Sequence, residues 1–199
     1  GENLYRHKDA YYFLPSEDEW YKAAFHKNDG VMANYWDYAT GSNTIPTAVA
    51  SGTGAGTVVY NQDQDSGSPA TVDHNGGLSA YGTRGQNGNM IEMMESAMTA
   101  PNDNPSEDRG RRGGYWYGPA DYLGAKGRGI QTMSGSFAVV GFRVASLAEP
   151  ARLQALGAGV LRIQSWKGMP FEVRPSTDLD EWSPLTTVTN LTGTLNFTA

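Results

Sequence analysis

The chain contains no cysteine in its 199 residues. This absence excludes disulfide bonds, thiolate metal sites and a cysteine nucleophile from its chemistry. It assigns no compartment, because a chain without thiols suits oxidising and reducing environments equally well.

Basic residues are also scarce, with 15 Lys and Arg against 21 Asp and Glu and a formal net charge of -6. Nucleic-acid-binding domains usually cluster Lys and Arg on one face, but the short basic cluster Arg109, Arg111 and Arg112 is interrupted by glycine. No run approaches the roughly 18 apolar residues of a membrane-spanning helix. We therefore expect no nucleic-acid partner and no membrane span.

Glycine and aromatic residues are abundant, with 25 Gly, 11 Tyr and 5 Trp. Charged residues make up 18% of the chain, below the usual quarter or so. A small net charge combined with many aromatic residues favours a folded protein over a disordered one. The composition predicts a loop-rich domain with an aromatic core, and it excludes a coiled coil or a helical bundle.

The clearest predicted element is a short helix that begins after Ser16. Ser16 and Glu19 have the spacing of a capping box, and acidic residues in the first turn suit the helix dipole. Trp20, Ala23 and Ala24 fall on one face of this helix. That face is expected to pack against the rest of the domain.

A long stretch, residues 28–88, is predicted to be mostly loop. Residues 57–60 are its one clear strand-like piece. A structureless segment of this length inside a compact domain is unusual. It requires either bound ions or a hydrogen-bond network to organise it.

The rest of the chain is predicted to be mainly β-structure. We expect one domain over residues 1–146, a linker over 147–159 in which Leu153 and Leu156 suggest a helical turn, and a small β module over 160–199. The expected strands of this β module cover residues 160–166, 171–174, 185–189 and 194–197.

Four segments, in order, carry a resemblance to one family: FLPSEDEWYKAA at 13–24, YG through GNMIE at 81–92, RGGYW at 112–116 and GFRVA at 141–145. They resemble the formylglycine-generating enzyme, or sulfatase-modifying factor, family over roughly residues 11–146. Residues 35–38 (YWDY) and 41–43 (GSN) resemble a bacterial secreted branch of it. An exported protein, extracellular or periplasmic, is therefore expected.

The resemblance implies an α+β, C-type-lectin-like fold with short strands inside long loops. Family members carry a longer segment before the first motif than this chain does. We therefore expect the helix face and the strands near Trp116 and Phe142 to be covered by a retained N-terminal segment or by self-association. Such a contact should exceed about 1,000 Å².

The family oxidises a substrate cysteine with two cysteines of its own, spaced C-x-x-x-x-C, that bind copper(I) through soft thiolates. Aligned on Arg128 and Gly141, the resemblance places those cysteines at Ala120 and Ala125. Methyl groups cannot bind copper(I). We therefore expect no copper and no formylglycine generation.

The resemblance also implies a structural calcium ion, which takes oxygen ligands. The matching ligands are the carbonyl oxygens of Gly88 and Met90 and the carboxylate of Glu92. Gly85 stands where relatives often carry Asn or Asp, so one side-chain ligand is missing. The alternative interpretation is that Glu92 caps a turn.

A second calcium site is predicted at Asn61, Gln62 and Asp65, although these residues align less well with the family. The alternative is that the acidic side chains of this loop are simply solvated surface charges.

Tyr115, Tyr117 and Tyr122 are candidate ligand-binding residues. They lie among Gly, Ala, Ser and Pro, and rigid aromatic side chains amid small residues are typical of recognition surfaces. The expected ligand is a protein or a glycan. The alternative is a core role, which we expect for Trp116.

Together these features favour a non-catalytic, exported binding or structural protein. One alternative is an enzyme of the family with altered chemistry. Another is a subunit of a larger extracellular assembly. A ligand or ion near Tyr117 would favour binding, a buried and perturbed carboxylate in a cleft would favour an enzyme, and an extensive apolar contact between chains would favour assembly.

Overall fold

A computed structural model describes residues 6, 10, 12–99, 102–104, 106–146, 152–157, 160–164, 169–173, 186–192 and 194–198. The chain folds into two compact units, Gly1–Ala145 and Ser146–Ala199.

The first unit combines one helix with short strands separated by long loops. Its described elements, with β8 at its end, are β1 (Tyr12–Phe13), α1 (Glu17–Phe25), β2 (Thr47–Ala48), β3 (Thr57–Val58), β4 (Ile91–Ala97), β5 (Arg109–Arg112), a 3-10 turn (Ala120–Tyr122), β6 (Gly129–Gln131), β7 (Val140–Phe142) and β8 (Ala145–Ser146).

A four-stranded sheet of order β6-β5-β4-β7 joins three of the four sequence motifs. Strand β4 pairs antiparallel with β5, where Glu92 lies opposite Arg112, and parallel with β7, where Glu92 lies opposite Gly141. The segments GNMIE, RGG and GFR are therefore neighbours in space. The smaller pairs are β1 with β8 and β2 with β3.

Helix α1 confirms the predicted capping box. The Ser16 hydroxyl accepts a hydrogen bond from the Glu19 N–H at 3.2 Å, and the Glu19 carboxylate accepts one from the Ser16 N–H at 2.8 Å. Trp20 and Ala24 are buried against a cluster that includes Met94. No helix in the described part of the chain has both the length and the apolar character of a transmembrane segment.

Buried amide side chains organise the long loop region. The Asn87 amide accepts a hydrogen bond from the Ala39 N–H at 2.7 Å and donates one to the Leu123 carbonyl at 2.5 Å. Asn89 bonds both the N–H and the carbonyl of Ala70. Because each amide both donates and accepts, it can join two loops that share no regular structure. A hydrogen-bond network therefore organises these loops. It is one of the two possibilities inferred from the sequence, the other being bound ions.

The second unit is built from antiparallel strands. They are β9 (Arg152–Gly157), β10 (Val160–Gln164), β11 (Met169–Val173), β12 (Thr186–Asn190) and β13 (Thr194–Thr198), in sheets of order β13-β10-β9 and β11-β12.

The predicted helical turn near Leu153 and Leu156 is wrong, because residues 152–157 form strand β9. Leu153 pairs with Ile163, and Ala155 pairs with Leu161, on strand β10. Pairing with a partner strand outweighs a three-residue leucine spacing that is also compatible with a helix. The predicted linker therefore contains a strand.

Candidate functional site

A cleft of about 290 Å³ is the first candidate site. This volume lies at the lower end of small-molecule sites. Ala120 and Ala125, the positions that the resemblance assigns to the copper-binding cysteines, both line it. Its polar lining comes from Asp37, Tyr38, Asn43, Asp121 and Lys126.

The segment from Tyr35 to Asn43 forms one wall of this cleft through its own hydrogen bonds. The Tyr38 N–H donates to the Ser42 carbonyl at 3.0 Å, and the Asp37 N–H donates to the Asn43 side-chain oxygen at 3.0 Å. The Asp37 carbonyl accepts from the Ala125 N–H at 2.8 Å, which fixes the two walls to each other.

Tyr38 is protonated at neutral pH, as any tyrosine with a pKa of about 10 or above is, and its hydroxyl can donate a hydrogen bond. Burial raises the pKa of the Tyr38 hydroxyl, and the neighbouring carboxylates of Asp37 and Asp121 raise it further. Asp37, Asn43, Asp121 and Lys126 are exposed. The cleft therefore offers hydrogen-bond donors and acceptors to a ligand.

The three candidate tyrosines form one aromatic cluster. Tyr115 stacks on Tyr122, with ring centroids 6.0 Å apart and an interplanar angle of 25°, and meets Tyr117 edge-on at 4.6 Å. Burial raises the pKa of Tyr115, and its two tyrosine neighbours raise it further. Tyr122 is 50% exposed, whereas Trp116 is only 9% exposed, which confirms the core role of Trp116.

Glu17, in the first turn of α1, fixes residues 120–129, a segment that contributes several residues to the cleft. Its carboxylate accepts hydrogen bonds from Arg112 at 2.7 Å and from Arg128 at 2.6, 2.8 and 3.0 Å. Arg112 also donates to the carbonyls of Ala125 and Gly127 at 3.0 and 2.7 Å. The conformation of residues 120–129 is therefore fixed by charged groups from outside the segment.

The model of the sulfatase-modifying factor enzyme 1-like domain matches residues 3–148 of the chain. The chain belongs to this family. No curated protein matches it. The family is consistent with a C-type-lectin-like fold, and the described part of the chain is an α+β mixture of mostly strands with one helix.

Within this sulfatase-modifying factor domain, the polar lining of the cleft was not predicted from the sequence. Asp37, Tyr38 and Asn43 belong to the YWDY and GSN segments, which the sequence marked only as family resemblance. Asp121 and Lys126 flank the two alanines. A signal was therefore present, because Asp121 and Lys126 each follow a position that the resemblance assigns to a family cysteine.

Glu92 lies on β4, where its carboxylate is already bound by protein groups. Arg143 donates to both Glu92 oxygens, at 2.6 and 2.8 Å, and the Trp20 indole N–H donates at 2.6 Å. A dication at this carboxylate would have to replace or lie beside the Arg143 guanidinium, which like-charge repulsion opposes. These contacts do not fit a calcium ion at Glu92.

One observation, in the loop that contains Gly85, favours a calcium ion near Glu92. A Cβ at Gly85 would clash with the side-chain amide of Asn75. Asn75 therefore fills the space of the side chain that relatives carry at position 85, and its buried oxygen Oδ1 has no hydrogen-bond partner. Calcium at Gly88, Met90 and Glu92 stays a prediction.

The residues of the second predicted calcium site are engaged differently. The Gln62 amide donates to the carbonyls of Val49 and Tyr60, at 3.2 and 2.8 Å. Asn61 and Asp65 are exposed. Among the residues that the structure describes, no group of three or more His, Asp or Glu side chains is arranged to hold a metal.

Proposed function

We propose that this sulfatase-modifying factor domain is a non-catalytic binding protein whose ligand occupies the cleft at Ala120 and Ala125. The observation that carries the proposal is that these two alanines line the cleft, in a chain that contains no cysteine. Thiolates are the ligands that copper(I) requires. The chain thus retains the cavity without the groups that the family's oxidation chemistry needs.

The ligand class follows from the cleft and from the exposed tyrosine that follows Asp121 in the chain. The cleft presents charged and amide groups that include both hydrogen-bond donors and acceptors, from Asp37, Asn43, Asp121 and Lys126. Tyr122, which follows Asp121 in the chain, adds an exposed aromatic ring. Polar groups that fix orientation and rigid aromatic groups that supply contact area suit a glycan or a polar protein segment.

A binding screen on glycan and peptide arrays tests this proposal. Asp121→Asn and Lys126→Gln should each weaken binding of any hit about tenfold, the effect of losing roughly one hydrogen bond to a charged or polar group. Asp18→Asn, an equal charge change on the exposed face of α1, serves as the matched control. Binding that all three variants leave unchanged would place the ligand elsewhere.

Catalysis has its own test. The chain, incubated with copper(I), oxygen and a sulfatase-derived cysteine peptide, should leave that peptide unmodified, because no thiolate is present to bind the metal. Mass spectrometry of the peptide reads out the result. An aldehyde product would contradict the non-catalytic role and favour altered family chemistry.

The exposed apolar residues near the end of the first unit support a second candidate role, as part of an exported assembly. Phe142 is 65% exposed and Val144 is 56% exposed. Adjacent exposed apolar residues mark interaction surfaces when they form a sizeable patch. Native mass spectrometry of the secreted protein should show a second copy or a retained segment. A bare monomer would remove this candidate.

A further inference from the structure

A second, smaller pocket is lined in part by the stacked tyrosines Tyr115 and Tyr122. Its volume is about 150 Å³, and Tyr115, Tyr122 and Ile91 form part of its wall. A cavity of this size accommodates a group about as large as one six-membered ring. The two stacked tyrosine rings present an aromatic surface to such a group.

The charged lining of this pocket is entirely basic. Arg111, Arg112 and Arg128 all line it, and the carboxylate that pairs with Arg112 and Arg128 is that of Glu17. Only one carboxylate pairs with these three guanidinium groups among the described residues, so the lining carries a local excess of positive charge. This excess is notable in a chain whose net charge is -6, and it favours an anionic ligand.

Arg111 is the guanidinium that lacks a counter-charge. In the part of the chain that the structure describes, no carboxylate pairs with it, and its Nε is buried without a hydrogen-bond partner. Its Nη1 reaches only the Gln131 side-chain oxygen, at 3.4 Å. Buried donors without partners are rare in native proteins and require an explanation.

Gly129 lets the Arg111 side chain pack closely against strand β6. A Cβ at Gly129 would lie 3.1 Å from Arg111 Nε and 3.3 Å from Arg111 Cγ. Arg112, bound to Glu17 and to the Gly127 carbonyl, holds the floor of the pocket in place. Because Nε itself is covered, a ligand in the pocket would bind the terminal nitrogens of the Arg111 guanidinium. Packing of Arg111 and Arg112 preorganises the pocket, which lowers the cost of binding.

We propose that this pocket binds the carboxylate of a ring-sized acid, with Arg111 on the carboxylate and the ring against Tyr115 and Tyr122. A guanidinium matches the two oxygens of a carboxylate, and also those of a sulfonate or phosphate, in bidentate geometry. The proposal rests on the proposed binding function and names its ligand chemistry. Acidic sugars and aromatic acids share that chemistry.

Calorimetric titration with matched acid and neutral probes tests the proposal. Benzoate is compared with benzamide, D-glucuronate with D-glucose, and benzenesulfonate separates carboxylate from other oxyanions. At least one carboxylate should bind about tenfold more tightly than its neutral counterpart, and added salt should reduce that difference. Equal affinity within both pairs, or no binding of any acid, would overturn the proposal.

Variants locate the binding. Arg111→Gln should abolish the difference between acid and neutral probe, while Tyr122→Ala should weaken both probes and keep the difference. Lys22→Gln on exposed α1 makes the same charge change as Arg111→Gln and should have no effect. Should Arg111→Gln fail to fold, the acid-neutral comparison together with Tyr122→Ala still decides. If the native chain binds no carboxylate but still shows binding that depends on Asp121, this pocket is rejected and the proposed function is not.

Discussion

At the scale of single residues, Glu92 shows that a side chain's partners decide its role. The family resemblance makes Glu92 a calcium ligand, but its two oxygens bind the Arg143 guanidinium and the Trp20 indole. The side chain of Arg143 is 22% exposed and that of Glu92 is 10% exposed. In such a setting the guanidinium can provide the positive charge that a metal ion would otherwise supply.

Replacing Arg143 with Ala should therefore lower the free energy of unfolding by about 3–5 kcal/mol, the usual cost of leaving one member of a buried ion pair uncompensated. Chemical denaturation measures it. Glu92→Gln combined with Arg143→Met should cost less than the sum of the single changes, because both charges are then removed.

The same ion pair predicts that chelation leaves the melting temperature of the native chain unchanged. A ligand that binds only the folded state stabilises it by about 2.7 kcal/mol at a hundredfold excess over its dissociation constant. A melting temperature that falls on chelation, with the response lost in Glu92→Gln, would contradict this expectation and support the predicted calcium site.

Gly88 is a residue whose identity is fixed by backbone geometry. Its φ is 67°, and an added Cβ would collide with the Val59 carbonyl. Gly88→Ala should cost more than the roughly 1–2 kcal/mol of left-handed strain alone. Gly82 has a φ of 77° but open space around it, so Gly82→Ala should show the strain without the collision. Equal losses in the two variants would contradict this account.

At the scale of elements, loops are joined to one another by side chains instead of by regular pairing. Asn87 connects the N–H of Ala39 to the carbonyl of Leu123, between the segments that form the two walls of the cleft. Glu17 connects α1 to Arg112 and Arg128. Such links give irregular segments a definite shape and fix the walls of the cleft.

Asn87→Ala should destabilise the protein by roughly 2–6 kcal/mol, because each of two buried backbone groups loses its partner at about 1–3 kcal/mol. Hydrogen exchange should show the loss first at Ala39 and around Leu123. Asn104→Ala, at an exposed position where the side chain caps Ser106, should cost under about 1 kcal/mol. A similar loss in both variants would argue against the joining role.

At the scale of the whole molecule, Glu17 makes stability depend on pH. Burial alone would raise the pKa of the Glu17 carboxyl, but hydrogen bonds from Arg128 and Arg112 outweigh it and lower that pKa. A depressed carboxyl pKa stabilises the fold above the unfolded value of about 4.3, and this stability is lost as the pH falls through the folded pKa.

Glu17→Gln should therefore be less stable than the native chain at pH 7, and the difference should shrink between about pH 5 and pH 3. Urea denaturation across this range measures it. Glu19→Gln is the comparison, since the Glu19 side chain is 49% exposed against 16% for Glu17 and exposed pairs contribute less. A constant difference at all pH values would exclude the Glu17 ion pairs as its cause.

The sequence alone determined those features whose causes lie within a few residues of one another. The capping box and the buried face of α1 depend on contacts three or four positions apart, so a local pattern predicts them. The antiparallel strands β10 to β13 fall close to their predicted positions. The absence of cysteine, and with it of thiolate chemistry, needs no structure at all.

Only the tertiary structure decided which distant side chains meet. Asp37 and Asn43 face Ala120 and Ala125 across one cleft, although a long stretch of chain separates them. Residues 152–157 became a strand because β10 lies beside them, and Glu92 became an ion-pair partner because β7 leads directly into Arg143. Long-range pairing depends on how loops close in space, which no local spacing in the sequence records.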